Sequence, residues 1–267
     1  MNGTVSDLSI VFMAISCLFG FGLPIVLLLY FRKKFKADFM AFVVGGAVMF
    51  LFALVLEATV HQIILATPAG KAVLSSAILY AVYGGFMAAL FEETGRFLAM
   101  KTILRPYQKK DVNALMYGAG HGGIEAAAIL GIGMINNLIW SVMINTGNQG
   151  ALTSSATGDV LASIQNVITA LVDTPAYVFL LGSVERVFAV ALQIAMSVLV
   201  WFAVKKKKMY LFAISFLIHF LVDAVTSFLS SSGVSALVTE GVVGLMAVAA
   251  VILAKQVWKT NARSAAM

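Results

Sequence analysis

Seven stretches of the chain, at 8–31, 39–60, 74–100, 112–142, 176–204, 209–230 and 234–256, are both apolar enough and long enough to cross a bilayer. A helix needs about 20 apolar residues for that task. Hydrocarbon offers no partner to a backbone N–H or C=O, so segments of this length fold as helices with all their hydrogen bonds internal. The expected fold is an all-α polytopic membrane bundle of about seven transmembrane helices. Composition agrees: with 11% charged residues, 61% hydrophobic residues and a mean hydropathy of +0.98, the chain has too few charges to clothe a soluble globule of 267 residues. In the first 31 residues the positive charges follow the apolar run, which reads as a retained helix and not as a signal peptide. Cys17 is the single cysteine, so neither a disulfide framework nor a cysteine-rich metal site is available.

The basic residues sort the helices into an orientation. Arg32, Lys33, Lys34 and Lys36 follow the first run, and Lys101, Arg105, Lys109 and Lys110 the third. Lys205 to Lys208 follow the fifth, and Lys255, Lys259 and Arg263 the seventh. Together these are 15 of the 18 Lys and Arg residues, and alternation places all of them on one side. The positive-inside rule then predicts an external N-terminus and a cytoplasmic C-terminus. This clustering is a membrane signal and gives no nucleic-acid surface. Residues 143–175 contain no Lys or Arg, and 160–172, stopped by Asp173-Thr174-Pro175, is expected to be a short external helix, interfacial or re-entrant. With no repeat or soluble insertion, 1–267 reads as one transmembrane domain.

Ionisable residues inside such runs cost free energy, so they face protein or water and mark function. Counting residues from each basic cluster gives their depth. Glu92 and Glu93 lie nine and eight residues before Lys101, His121 eleven after Lys110, His219 eleven after Lys208 and Gln193 twelve before Lys205. At ~1.5 Å per residue the two glutamates and two histidines share one layer, roughly 12–17 Å from the basic side, and Gln193 joins it from the fifth run. Glu125 and Asp223 sit one turn deeper, on the faces of His121 and His219. Gly118-Ala-Gly-His121-Gly-Gly123 carries the small-residue spacing that lets helices approach closely, which draws His121 against its neighbours.

Each group also has a plainer reading. Glu92 and Arg96 are spaced for an i,i+4 ion pair, though that leaves Glu93 without a partner. His121 could be a helix-to-helix hydrogen bond, and Gln193 fits a packing hydrogen bond better than a catalytic role. Glu57 with His61, and Glu185 with Arg186, fall toward the external ends of their helices and read as structural pairs. No HExxH helix and no Gly-x-Ser-x-Gly elbow occurs in the sequence, and Asp223 is the one aspartate inside a span. What remains is carboxylate plus imidazole, the parts needed to take a proton from water and to donate to an oxyanion or leaving group.

Glu92-Glu93-x-x-Arg96, then Tyr117-x-x-x-His121 continuing to Glu125, then His219-x-x-x-Asp223 resemble the ordered motifs of the CAAX-prenyl-protease-like and PrsW-like intramembrane proteases. Within that superfamily the chain is most similar to the YhfC-type bacterial intramembrane metalloproteases. The Glu-Glu-to-Arg spacing is shorter than in the CAAX-protease pattern, and Asp223 stands where that pattern commonly has Asn. The resemblance implies an endopeptidase acting on a membrane protein or lipidated peptide within the lipid bilayer, with the bacterial inner (plasma) membrane as its location. Glu92 or Glu93 would activate water, and His121 and His219 would orient it and stabilise the oxyanion. Arg96 would position the glutamates, Asp223 would hold the polar end of the network, and Tyr117, Glu125 and Gln193 would support it. Either no cofactor or zinc is compatible with these residues; a zinc ion would draw on Glu93, His121 and His219. The cavity is expected to open toward the cytoplasmic half. The rival readings are a proton-coupled transporter and a catalytically silent scaffold or immunity protein on the same fold.

Overall fold

The structure, a computed structural model, describes residues 3–262. Among the described residues nine helices carry the architecture: α1 (Asp7–Phe35), α2 (Phe39–Leu65), α3 (Pro68–Leu74), α4 (Ala77–Lys101), α5 (Val112–Asn145), α6 (Gly158–Asp173), α7 (Ala176–Lys205), α8 (Met209–Ser231) and α9 (Ala236–Asn261). Among the described residues six of them, α1, α2, α5, α7, α8 and α9, are long and apolar enough to span a membrane. Joined to α3 across a bend of 109°, α4 makes a seventh. Its 25 residues suffice for length, and the charges of Glu92, Glu93 and Arg96 are what lower its apolar character. The all-α polytopic bundle read from the sequence is therefore present. Arg263, one of the basic residues used for orientation, lies outside the described residues.

Local chemistry sets the helix ends. Ser6 accepts from the Ser9 N–H at 3.1 Å to cap α1, and Lys36 closes it in a left-handed conformation. Thr67 caps α3 ahead of Pro68, whose missing N–H costs nothing in a first turn. The run 160–172 appears as α6, whose Ile168 and Leu171 pack with Val5, Met13 and Phe179 beside the start of α1. α2 passes through a π-helical stretch at Met49–Glu57 and α5 through another at Ala127–Ile132.

α7 is the central helix, with 67% of its apolar span buried against 22–33% for the other spans. Around it, glycines on α5 remove the side chains that would hold the backbones apart. A Cβ at Gly118 would lie 2.5 Å from Ile194 Cα of α7, and one at Gly120 would lie 2.0 Å from the Phe42 carbonyl oxygen of α2. Gly123 meets Pro24 of α1. Three helices thus close on the turn of α5 that holds His121, as the glycine spacing predicts. On the opposite side of the layer α4 and α8 touch at Gly85, where a Cβ would come within 2.6 Å of the Phe220 carbonyl oxygen.

Candidate functional site

The shared layer predicted by residue counting exists. α4 supplies Glu92, Glu93 and Arg96, α5 supplies His121, α7 supplies Gln193, and α8 supplies Ser215 and His219. All of these side chains are buried, and Glu93, Arg96 and His121 have no exposed surface. Burial of this many polar groups is tolerable only if they satisfy one another.

The two glutamates are held in different ways. Glu93 is locked: its Oε1 lies 3.0 Å from Arg96 Nη1 and 2.8 Å from His219 Nδ1, while Ser215 Oγ donates to its Oε2 at 2.8 Å. Glu92 faces His121 Nε2 at 2.8 Å and accepts from Gln193 Nε2 at 2.9 Å, both through Oε2. Among the described residues its Oε1 has only His219 Nε2, at 3.8 Å, and so retains capacity to accept. The i,i+4 pair of Glu92 with Arg96 suggested by the sequence is not formed; the i,i+3 pair of Glu93 with Arg96 replaces it. Rotation about the helix explains the exchange: Glu93 turns toward Ser215 and His219 on α8 with Arg96 one turn on beside it, whereas Glu92 turns toward His121 on α5 and Gln193 on α7.

Gln193 does more than fill space. Its Oε1 accepts from Arg96, and its amide nitrogen donates to Glu92 and, at 2.8 Å, to Glu125 Oε2. Two carboxylates on one side and a guanidinium on the other leave the amide a single sensible orientation. Beyond Glu125 the chain of contacts continues to Arg186, whose Nη1 donates to Glu125 Oε1 at 2.8 Å and which also pairs with Glu185. The pair of Glu185 with Arg186, read from the sequence as a structural pair at the external end of its helix, is formed and also joins the site's network through Glu125. Tyr117 stacks on His121 with ring centroids 5.9 Å apart and an interplanar angle of 28°. Asp223 lies 3.3 Å from His219 Nε2 and keeps 37% of its side chain exposed. Glu57 and His61 do form their own pair at 3.0 Å, extended to the Tyr83 hydroxyl by His61 Nδ1 at 2.9 Å.

A cavity of about 140 Å³ touches Glu92, His219 and Asp223 and continues to Glu125, Arg186 and Thr226. By the volume one water occupies, it has room for several. Each residue it reaches beyond the glutamate layer lies farther from the lysine-bearing end of its helix. The cavity therefore runs away from the lysine clusters, opposite to the expected cytoplasmic opening. Bulky groups explain the reversal, since Met100, Met116, Tyr117, Met196, Leu199 and Trp201 are completely buried between the layer and the lysines. Trp201 Nε1 donates to Asp111 at 3.0 Å and Lys205 pairs with the same carboxylate, fastening that end.

The trio Glu93, His121 and His219 does not fit a metal ion. Glu93 is committed to Arg96 and Ser215, and His121 addresses Glu92 instead. More widely, no three His, Cys, Asp or Glu side chains among the described residues are arranged to hold one.

Comparison with known proteins bears out the family resemblance. The chain is 36% identical over 218 residues, 81% of its length and 83% of the relative's, to a Bacillus subtilis (strain 168) protein described as "Uncharacterized membrane protein YhfC". No solved structure matches it. The pattern that defines the YhfC intramembrane metalloprotease family matches residues 19–253, which include every residue of the site, and the chain belongs to that family.

Proposed function

We propose that the chain is an intramembrane endopeptidase in which Glu92 is the general base. The observation that supports this most is the asymmetry of the glutamates: Glu93 is enclosed by three partners, whereas Glu92 borders the cavity with one oxygen still open. A base has to reach the proton that it removes, and of the two adjacent glutamates Glu92 is the one that borders space for a water.

In this reading a water in the cavity gives a proton to Glu92 as its oxygen attacks the scissile carbonyl carbon. The carbonyl π electrons move onto oxygen, and His219 Nε2, whose other ring nitrogen is fixed by Glu93, donates to the resulting oxyanion. Collapse of the tetrahedral intermediate breaks the C–N bond, and Glu92 returns its proton to the departing amine. His121 and Gln193 hold the Glu92 carboxylate at one oxygen, which aims the other. Asp223 orients His219. As an acceptor when ionised, it cannot itself donate to the oxyanion, and that places the duty on His219.

The test uses purified protein in detergent with a panel of membrane-segment peptides. Glu92→Gln and His121→Ala should each abolish cleavage while the melting transition remains cooperative. Cleavage that survives both changes would remove the protease assignment from this layer. Substrate or ion flux in proteoliposomes that is lost with the same changes would replace it with a transporter.

A further inference from the structure

We infer that the site is served from the membrane face opposite the lysine clusters, and that the peptide it takes is a membrane-protein segment lying in, or entering from, the outer half of the bilayer. The inference rests on the protease reading for what the site does, but the direction of access rests on geometry alone. A reacting centre needs a path for water as well as for substrate, and here the two possible paths differ sharply. Toward the lysines the layer is covered by fully buried methionines and aromatics and by the contact that Trp201 and Lys205 make with Asp111. Away from them the cavity passes Asp223 and Thr226 on α8, Glu125 on α5 and Arg186 on α7. Polar groups line this second path from the glutamate layer outward, and its widest opening is at Asp223, which keeps 37% of its side chain exposed against 8% at Glu92, 12% at Glu125 and 10% at Arg186. Intramembrane polar groups of this kind are stable where they line a water-filled path.

The positive-inside rule turns this direction into a membrane face: with the lysines cytoplasmic, the open path leads outward. A substrate whose scissile bond is presented from the cytoplasmic surface would have to displace Trp201 and its neighbours. One presented from the outer half meets the cavity directly.

Cysteine accessibility tests the direction without requiring any turnover. Cys17→Ser supplies a background without thiols, into which Thr226→Cys, Asn148→Cys and Lys109→Cys are placed one at a time. Intact cells are treated with a membrane-impermeant sulfonated maleimide, and labelling is compared with that of permeabilised cells. Thr226→Cys should be labelled in intact cells together with Asn148→Cys, while Lys109→Cys is labelled only after permeabilisation. Labelling of Thr226→Cys only after permeabilisation would overturn the inference, as would its failure to label in either state when the protein is folded. Labelling of Lys109→Cys in intact cells would reverse the orientation and overturn it as well. Lack of peptidase activity in the purified protein, with this labelling pattern intact, would refute the proposed chemistry while leaving the route standing.

Discussion

Glu93 Oε1 lies 2.8 Å from His219 Nδ1, so the second carboxylate of an adjacent pair fixes the ring whose other nitrogen faces the first. Neighbours in sequence thereby take unequal duties. One is a part of the frame and the other borders the cavity.

That inequality predicts different failures for the same isosteric change. Glu92→Gln should abolish turnover with little change in melting temperature. Glu93→Gln removes the counter-charge of a fully buried Arg96, a kind of loss that costs about 3–5 kcal/mol. Thermal unfolding in detergent should show a clearly lowered transition for Glu93→Gln alone. Equal melting temperatures for the two variants would contradict the division of labour.

Gln193 should matter to rate more than to binding. Gln193→Met keeps volume but removes the donor to Glu92 and the acceptor for Arg96. Loss of an orienting partner of this kind typically costs about 10–100-fold in activity. We expect kcat to fall in that range with KM nearly unchanged, as measured by steady-state cleavage of a membrane-segment peptide. A variant whose kcat matches the unmodified protein would show that the amide merely packs.

Chelation should leave cleavage unaffected. Glu93 cannot serve Arg96, Ser215 and a cation together, and His121 is turned to Glu92. Treatment with 1,10-phenanthroline followed by metal analysis checks this. A rate that falls with metal content and returns with added zinc would require the layer to rearrange around an ion.

Glycine substitutions separate close approach from mere flexibility. Gly120→Ala forces a methyl group into the Phe42 carbonyl and should lower the yield of folded protein, whereas Gly133→Ala meets nothing within 4 Å and should be tolerated. Size-exclusion profiles of the two variants in detergent make the comparison.

Outside the membrane, Asp38 links stability to pH. Partial burial by itself would raise its carboxyl, but hydrogen bonds from Lys110 and Asn113 and the nearby charge of Arg32 outweigh this and hold it below the ordinary carboxylate range. A depressed folded-state value gives stabilisation that is present above the unfolded pKa, near 3.9, and lost as pH falls through the folded one. The melting temperature of the unmodified protein should therefore approach that of Asp38→Asn below about pH 4 and exceed it at neutral pH. A gap between the two that does not change with pH would count against this linkage.

Depth counting located the layer because rise per residue is nearly constant and the lysine clusters mark a common level. It joined Glu92, Glu93, His121, Gln193 and His219 correctly. It could not tell which glutamate meets Arg96, since i,i+3 and i,i+4 are both reachable on a helix and the neighbouring helices decide. Nor did it link Arg186 to Glu125, because they differ by about one helical turn in depth and the arginine side chain spans that gap. Ser215 was missed for a related reason. A lone serine in an apolar run carries no sequence signal, although its place one turn before His219 on α8 puts it on the same face. The direction of the cavity was hidden because it depends on how Met100, Met116 and Trp201 fill space, which periodicity does not reveal.

The packed aromatic and methionine plug above Asp111 makes the chamber a cul-de-sac. On the peptidase reading proposed above, both halves of a severed chain have to back out through the passage by which the whole one arrived. Turnover in such a vestibule is then paced by clearance of the fragments, and long or strongly apolar ones will linger.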